Sequence, residues 1–405
     1  MNARHLESLA AFPSFLTLPM QAFRLVVLLF TALAATQAAA ADSVAFAGFA
    51  YAGDAQQIAA RFPVTRQVEA ELTASGGAPN KAISRSLAAR PPANFSLSSD
   101  GMASLKHSDQ ALATALVVTS ETISSERFGR LYKVLANVRG QALVFDFKAM
   151  TVLRAYPINV TYLDVLDHQP SEREKRDRVK RLLLGGDKPG LFDRYAQVLS
   201  GAKLPSSGTR YLQVSQVNVA PEALAQLPEG LKTGSGVAEG WLADMFGEAL
   251  LDKAGVPILP FTKGYAIGNA MAMRFADGEV FNLKLPEPDY TIQVDLKGFK
   301  RVEYGSSAAG TSYIYAVYSH IKLGEPMSGK QYLDADFKNG EVKAVPVTQS
   351  EIDDFPAYAD SLRGLFTKLS SSLGGQDSDW LAAASSGDNV SKQVDVTRGV
   401  VKSCK

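Results

Sequence analysis

The 405-residue sequence predicts an α+β protein made of two similar domains, each an antiparallel β-meander with helices packed on one sheet face. Three observations lead there. Runs rich in β-branched and aromatic residues at 132–147, 151–165, 290–304 and 312–323 have the composition and periodicity of strands. Apolar residues at 237–253 and from Ser350 onward recur every three to four positions, as on one face of a helix. Finally, Asp146-Phe-Lys-Ala-Met-Thr-Val aligns without a gap to Asp336-Phe-Lys-Asn-Gly-Glu-Val, and each copy soon reaches a proline, Pro157 or Pro346. That echo points to tandem duplication.

Before the first domain, residues 1–41 read as an export signal. Arg24 precedes a short apolar core at 25–35, and the following Ala-rich stretch offers small residues for cleavage before Ala41 or Asp42. The core is shorter than the roughly 20 residues that span a bilayer, although an uncleaved anchor that uses the Ala-rich extension is the alternative. Met20-Gln-Ala-Phe-Arg24 makes a more compact leader than the segment before it, so Met20 is the expected start. No cysteine stands at the cleavage site for acylation. The single Cys404 has no partner for an internal disulfide, so stability rests on the apolar core. The expected location is the periplasm or the exterior.

The mature chain opens on Val44-Ala-Phe-Ala-Gly-Phe-Ala-Tyr51, where large and small residues alternate as in a strand. Ile58, Phe62, Val68 and Leu72 have helical spacing broken near Pro63, and the Gly-, Pro- and Ser-rich 75–101 reads as an exposed loop. Breaks near Gly140 and Ala149 divide the first meander. A charged helix from Glu172, stopped by Gly185 or Gly186, and a second at 191–199 close a first domain, 42–205. The second domain, 206–375, begins after a connector of Gly, Pro and Ser. Its helix at 237–253 aligns Ala238, Trp241, Leu242, Met245, Phe246 and Ala249 on one face and ends at Gly255 and Pro257. Strands flank Ala276-Asp-Gly278, and Asn339-Gly340 marks a hairpin turn. The last long helix carries an apolar seam of Ile352, Phe355, Ala359, Leu362, Phe366, Leu369 and Leu373, fit for the sheet or for another chain. Residues 376–405 read as a flexible tail.

Lys plus Arg (42) balances Asp plus Glu (41), and a net charge of +1 gives no field to gather nucleic acid. The local exception is Glu172-Arg-Glu-Lys-Arg-Asp-Arg-Val-Lys-Arg181. Its Arg173, Arg176, Lys180 and Arg181 are candidates for binding an anionic lipid or glycan, against the plainer reading of a solvated helix face.

Catalytic chemistry has few carriers. After cleavage only His107, His168 and His320 remain, and none has metal-ligand spacing, so no metal and no cofactor is expected. His320 lies in a strand apolar on both faces and reads as a buried, hydrogen-bonded histidine. His168 follows Asp164 and Asp167 at a strand end and is the better acid–base candidate, with turn structure as the alternative. Ser200 and Lys203 have the spacing that lets an amine activate a hydroxyl, but without the partner motifs of penicillin-recognising enzymes. Gly324-Glu-Pro-Met-Ser-Gly-Lys-Gln331 and Gly234-Ser-Gly236-Val-Ala-Glu-Gly240 fall short of the phosphate-loop and dinucleotide patterns and read as turns. Asp334, Asp336 and Glu341 around Asn339 read as a polar hairpin rather than a calcium loop.

Residues 290–346 with the helix after Ser350, and the shorter echo at 131–157, give an order of elements that resembles the small α/β domains of bacterial envelope assembly proteins, such as the amino-terminal domain of TolB and the curli-secretion protein CsgG. No functional residue transfers with this pattern, and CsgG's lipidated cysteine has no counterpart here. The resemblance implies an exported, non-enzymatic binding or assembly factor for protein, lipid or glycan, able to form oligomers. The alternative is a secreted hydrolase using His168 with Asp164 or Asp167, or Ser200 with Lys203.

Overall fold

The computed structural model describes residues 43–98, 112–206, 208–232, 236–261, 266–267, 270–349 and 352–405, and Ser43–Lys405 form one compact unit. The export signal, His107, Gly234, Ser235 and Ser350 lie outside the described residues.

The chain begins with β1 (Ser43–Ala52), three helices, α1 (Ile58–Arg61), α2 (Pro63–Ala74) and α3 (Pro79–Ala89), and a short β2 (Ser96–Ser98). A meander of β3 (Leu112–Phe128), β4 (Leu131–Asp146) and β5 (Thr151–Leu166) follows, then α4 (Glu172–Leu184) and α5 (Leu191–Gly201). The second half starts with β6 (Leu212–Val219), α6 (Pro221–Ala225), α7 (Glu229–Lys232) and the long α8 (Val237–Ala254). Short strands β7 (Ala266–Ile267), β8 (Ala270–Phe275) and β9 (Val280–Lys284) lead into a second meander, β10 (Tyr290–Ser307), β11 (Gly310–Glu325) and β12 (Lys330–Pro346). The chain closes with α9 (Phe355–Leu373), α10 (Leu381–Ala384), β13 (Ser385–Ser386) and α11 (Val390–Ser403).

Two sheets result. The first has the order β2-β1-β3-β4-β5-β9-β8-β7, and β8 also pairs with β1, so six of its strands close into a ring. Small side chains make that closure possible. Ala45, Ala50, Ala52, Ala113, Ala115 and Ala155 point inward with Val117, Leu143, Phe145 and Met273, which fill the narrow interior. The opposite face buries Phe49, Tyr51, Leu116 and Val138 against the helices, with Val68, Ile83, Val179 and Phe192. The alternation of large and small residues in β1 thus sorts helix side from ring side. A bulge at Gly48 (φ 121°) shifts the register partway, where the Phe49 amide donates to Asn80 Oδ1 at 2.8 Å.

The second sheet, β13-β12-β11-β10-β6, places β6 parallel to β10 and buries one face under α8, α9 and α11. In both halves a strand lies parallel to the first strand of an antiparallel meander.

Several expectations are corrected. Asp146-Phe-Lys sits at the turn between β4 and β5, whereas Asp336-Phe-Lys lies inside β12, paired with His320, Ser319 and Tyr318. The two are not equivalent. Asn339-Gly340 also lies inside β12, opposite Val317 and Ala316, and the turn of that hairpin falls after Glu325, in the segment discounted as a phosphate loop. Strands β7 to β9, expected in the second domain, join the first sheet, so the 42–205 and 206–375 segments do not build separate sheets. Residues 79–89 form α3, started by Pro79 and held by Ile83 and Leu87, where a loop was expected. β4 runs through Gly140 without a break. The tail is not loose: α11 buries Val394, Val400 and Val401, and Cys404 is fully buried beside them.

Candidate functional site

The side chains singled out from the sequence are engaged in holding the fold. His168 is exposed, with Nδ1 2.7 Å from Asp167 and Nε2 3.0 Å from Glu174. Glu174 is itself the reciprocal partner of Ser171 in the capping box of α4. The Asp167 and Glu174 carboxylates raise the His168 pKa, and bonds from the Ser171 amide and from His168 bring Glu174 down to about 2. His168 therefore fastens a helix start. Asp164 turns away to Arg178, at 2.8 Å. Ser200 Oγ donates to the Gln197 carbonyl at 2.7 Å, and the Lys203 carbonyl accepts from the Tyr156 hydroxyl at 3.2 Å. The His168–Asp167 pair forms, but both ring nitrogens are held by carboxylates, and Ser200 Oγ is bonded to a backbone carbonyl.

The basic run of α4 is mostly spoken for as well. Lys180 pairs with Glu71 of α2, Arg176 lies 3.9 Å from the same carboxylate, and Arg173 lies 3.9 Å from Asp177, while Arg181 is exposed. Lys180 and Arg176 thus help seat α4 on α2, whereas Arg173 and Arg181 stay exposed to solvent. His320 also departs from expectation. It stands on the polar face of the second sheet, held by Asp336 at 2.7 Å and Asp334 at 3.0 Å. The apolar seam of α9 is buried, with Leu362, Leu365, Phe366 and Leu369 fully enclosed, so it is not free for another chain.

The structure instead draws attention to α8, which packs on β5, β6 and α9 and is buried on nearly every side. Two glycines allow this. A Cβ on Gly247 would stand 2.4 Å from Ile258 Cδ1 and 3.0 Å from Pro157 Cγ, and one on Gly240 would stand 2.8 Å from Arg139 Nη1. Glycine weakens a helix by about 1 kcal/mol relative to alanine, and here the loss is offset by close contact with the first sheet. Asp244, Glu248 and Asp252 follow at intervals of four residues and form an acidic stripe along the helix.

Each acid meets a different environment. Asp244 bonds Arg139 at 3.0 Å, both side chains nearly sealed from solvent, and burial still raises its pKa. Asp252 is exposed and paired with Lys253 at 2.8 Å. Glu248 lies between. Its Oε1 is sealed and accepts no hydrogen bond, and burial together with the Asp244 charge pushes its pKa up to about 8. Arg194, the Asn159 amide and Arg363 only partly oppose this. At neutral pH the carboxyl carries a proton.

Glu248 lines a half-open cavity of about 730 Å3 between β5, α5, α8 and α9. Five cationic side chains line it, Arg154, Arg194, Lys203, Arg363 and Lys405, against the carboxyls of Glu248 and Asp252. Lys203, Arg363 and Lys405 are exposed at its rim. Arg154 is different, only 4% exposed. Its Nη1 donates to the Cys404 carbonyl at 2.9 Å, its Nε has no partner, and it forms no ion pair among the described residues. A buried charge without a counter-charge costs several kcal/mol, and burial lowers the pKa of this guanidinium. The cavity is thus arranged for an anion: a fixed buried cation, further cations outside it, and a carboxyl that is neutral. Among the described residues no cluster of His, Cys, Asp or Glu is suited to a metal ion.

The class these features define is an α+β protein with a half-open, cation-lined cavity at the junction of two sheets. No protein-family model matches the chain, and no characterised protein is significantly similar to it. Among solved structures, it is similar to a Xanthomonas campestris protein of family DUF330, with 16% identity over 41% of this chain and 83% of that one and a TM-score of 0.22. It is also similar to a minor lipoprotein from Acinetobacter baumannii, with 14% identity over 39% of this chain and 89% of that one and a TM-score of 0.20.

Proposed function

We propose that the protein is an exported, non-enzymatic binding factor of the cell envelope, whose ligand site is the cavity between β5, α5 and α8. The observation that carries this reading is Arg154, a buried cation with an unpartnered Nε and no carboxylate, in the wall of a cavity of ligand size. Export is supported by the leader at 24–41. No described helix is long and apolar enough to cross a membrane.

The test is mass spectrometry of the protein recovered from envelope fractions. Denatured, it is expected to start at Ala41 or Asp42. Under native conditions it is expected to carry a non-protein mass that an Arg154→Met variant, shown by circular dichroism to be folded, has lost. A chain that keeps residues 25–35 would refute cleavage and the released, periplasmic form. A ligand mass retained by the folded variant would refute the cavity as the site.

A further inference from the structure

We propose that the cavity takes an amphiphile with a single oxyanion head, a carboxylate or a phosphate monoester, whose head sits at Arg154 and whose apolar body lies along β5 and α8. This rests on the cavity being the ligand site and adds the class of ligand. A guanidinium offers five N–H donors in a planar fork, and Arg154 spends Nη1 on the Cys404 carbonyl while Nε stays unbonded. An oxyanion placed there gains charge-assisted bonds to a buried guanidinium, stronger than those it makes in water. It also supplies the missing counter-charge.

The neighbouring carboxyl decides how much negative charge fits. Protonated, Glu248 adds no charge to the wall of the cavity; ionised, it makes the cavity less favourable to an anion. The groups facing it are Asp244 and Asp252 on its own helix, Arg194 on α5, Arg363 on α9 and the Asn159 amide on β5. They leave room for one anionic group and make a polyanion a poor fit.

Away from the charges the wall is apolar: Tyr156 and Ile158 from β5, Val198 from α5, Met245 and Leu251 from α8, and Pro257 after it. An inorganic anion would leave this surface wet. A neutral glycan would leave Arg154 unpaired and find few neutral hydrogen-bonding side chains, Gln197 and Thr367 among them. An amphiphile satisfies both parts.

The experiment is calorimetric titration of the full-length protein, freed of bound lipid, with dodecanoate, dodecyl phosphate, dodecyltrimethylammonium, dodecyl maltoside, acetate and inorganic phosphate, each below its micellar concentration. Dodecanoate or dodecyl phosphate is expected to bind, and which of the two binds more tightly identifies the head group. The corresponding short anion, acetate or phosphate, should bind at least about tenfold more weakly because it buries no apolar surface. Arg154→Met should weaken binding by about tenfold or more. Because that change also removes the bond to Cys404, Val198→Trp serves as a second variant that fills the cavity from its half-buried wall without touching the cation. It should abolish binding in a protein with an unchanged circular dichroism spectrum. Affinity should fall from about pH 6 to about pH 9 as Glu248 ionises. Equal affinity for the short anion and its dodecyl counterpart would overturn the amphiphile while leaving an anion site in place. Equal binding of the maltoside or the ammonium compound would overturn the anionic head. Absence of binding by every anion would overturn the cavity site itself.

Discussion

Replacing Arg139 by Met should destabilise the protein in a way that depends on pH, because it strands Asp244 in the interior between β4 and α8. The two side chains are 6% and 7% exposed and 3.0 Å apart. Without the guanidinium the carboxylate does not stay charged; it takes up a proton, the less costly of two poor states. Holding a proton costs ~1.4 kcal/mol for each pH unit above the ordinary pKa. From the ordinary 3.8 of an aspartate, that sets a ceiling of about 4 kcal/mol at pH 7 and about 2 kcal/mol at pH 5, reduced by what the raised pKa of Asp244 already costs the parent. The sign follows from linkage: a carboxyl whose pKa is raised by folding favours the native state at low pH, and that advantage fades as pH climbs through the raised value. Urea unfolding followed by circular dichroism at both pH values measures the difference, read as a shift of midpoint at constant slope. The double variant Arg139→Met with Asp244→Leu removes both charges and should recover most of the loss. A single variant as stable as the parent at pH 7, a loss that does not shrink toward pH 5, or a double variant no better than the single would each refute this account of the pair.

Two further outcomes follow from the same helix and its neighbours. Glu248→Gln should match the parent at pH 5 and exceed its stability by a few kcal/mol near pH 9, because the parent's carboxyl, raised from 4.5 to about 8, loses its stabilising proton across that interval; parallel unfolding midpoints for the two proteins would contradict this. Cys404, fully buried with Sγ 3.4 Å from the Val400 carbonyl and a pKa pushed up to about 11, should resist a thiol reagent until the protein unfolds, and Cys404→Ser should cost about 1–2 kcal/mol for burying a hydroxyl; rapid labelling of the native protein would show that α11 is not docked.

The alternation of residues in β1, the meanders and the long helices were legible because each has a period set by its own backbone. The partner of each strand was not. Nothing local in Met271 to Phe275 says that β8 leaves its own half to pair with β1, since that pairing depends on the alanines of distant strands. Asn339-Gly340 misled for a related reason: Asn-Gly suits a tight turn, yet Asn339 is needed in the sheet, where its Nδ2 donates to the Ser361 carbonyl and its Oδ1 accepts from Lys368. The candidate site left a fainter trace. Arg139 and Arg154 stand among apolar neighbours in mainly apolar strands, and Asp244 and Glu248 stand four apart in a mainly apolar helix. Charges inside apolar elements mark buried polar work; the search for histidines and motifs passed over them.

The position of the cavity follows from how one helix serves two sheets. The first sheet spends its small residues on closing a ring, and its other face is taken by helices of the first half. The second sheet therefore reaches the first mainly through α8, which must approach Arg139 of β4 at Gly240 and Pro157 of β5 at Gly247 and still carry apolar side chains to α9 and β6. A cylinder laid between surfaces of different twist cannot fill the space along its whole length. The cavity lies beside β5, α5, α8 and α9, and cations from three of these elements, Arg154, Arg194 and Arg363, line it. In the proposed site the buried cation stands on a strand rather than a loop and is held by the Cys404 carbonyl before any ligand arrives, and that preorganisation favours selective binding of an anionic head group.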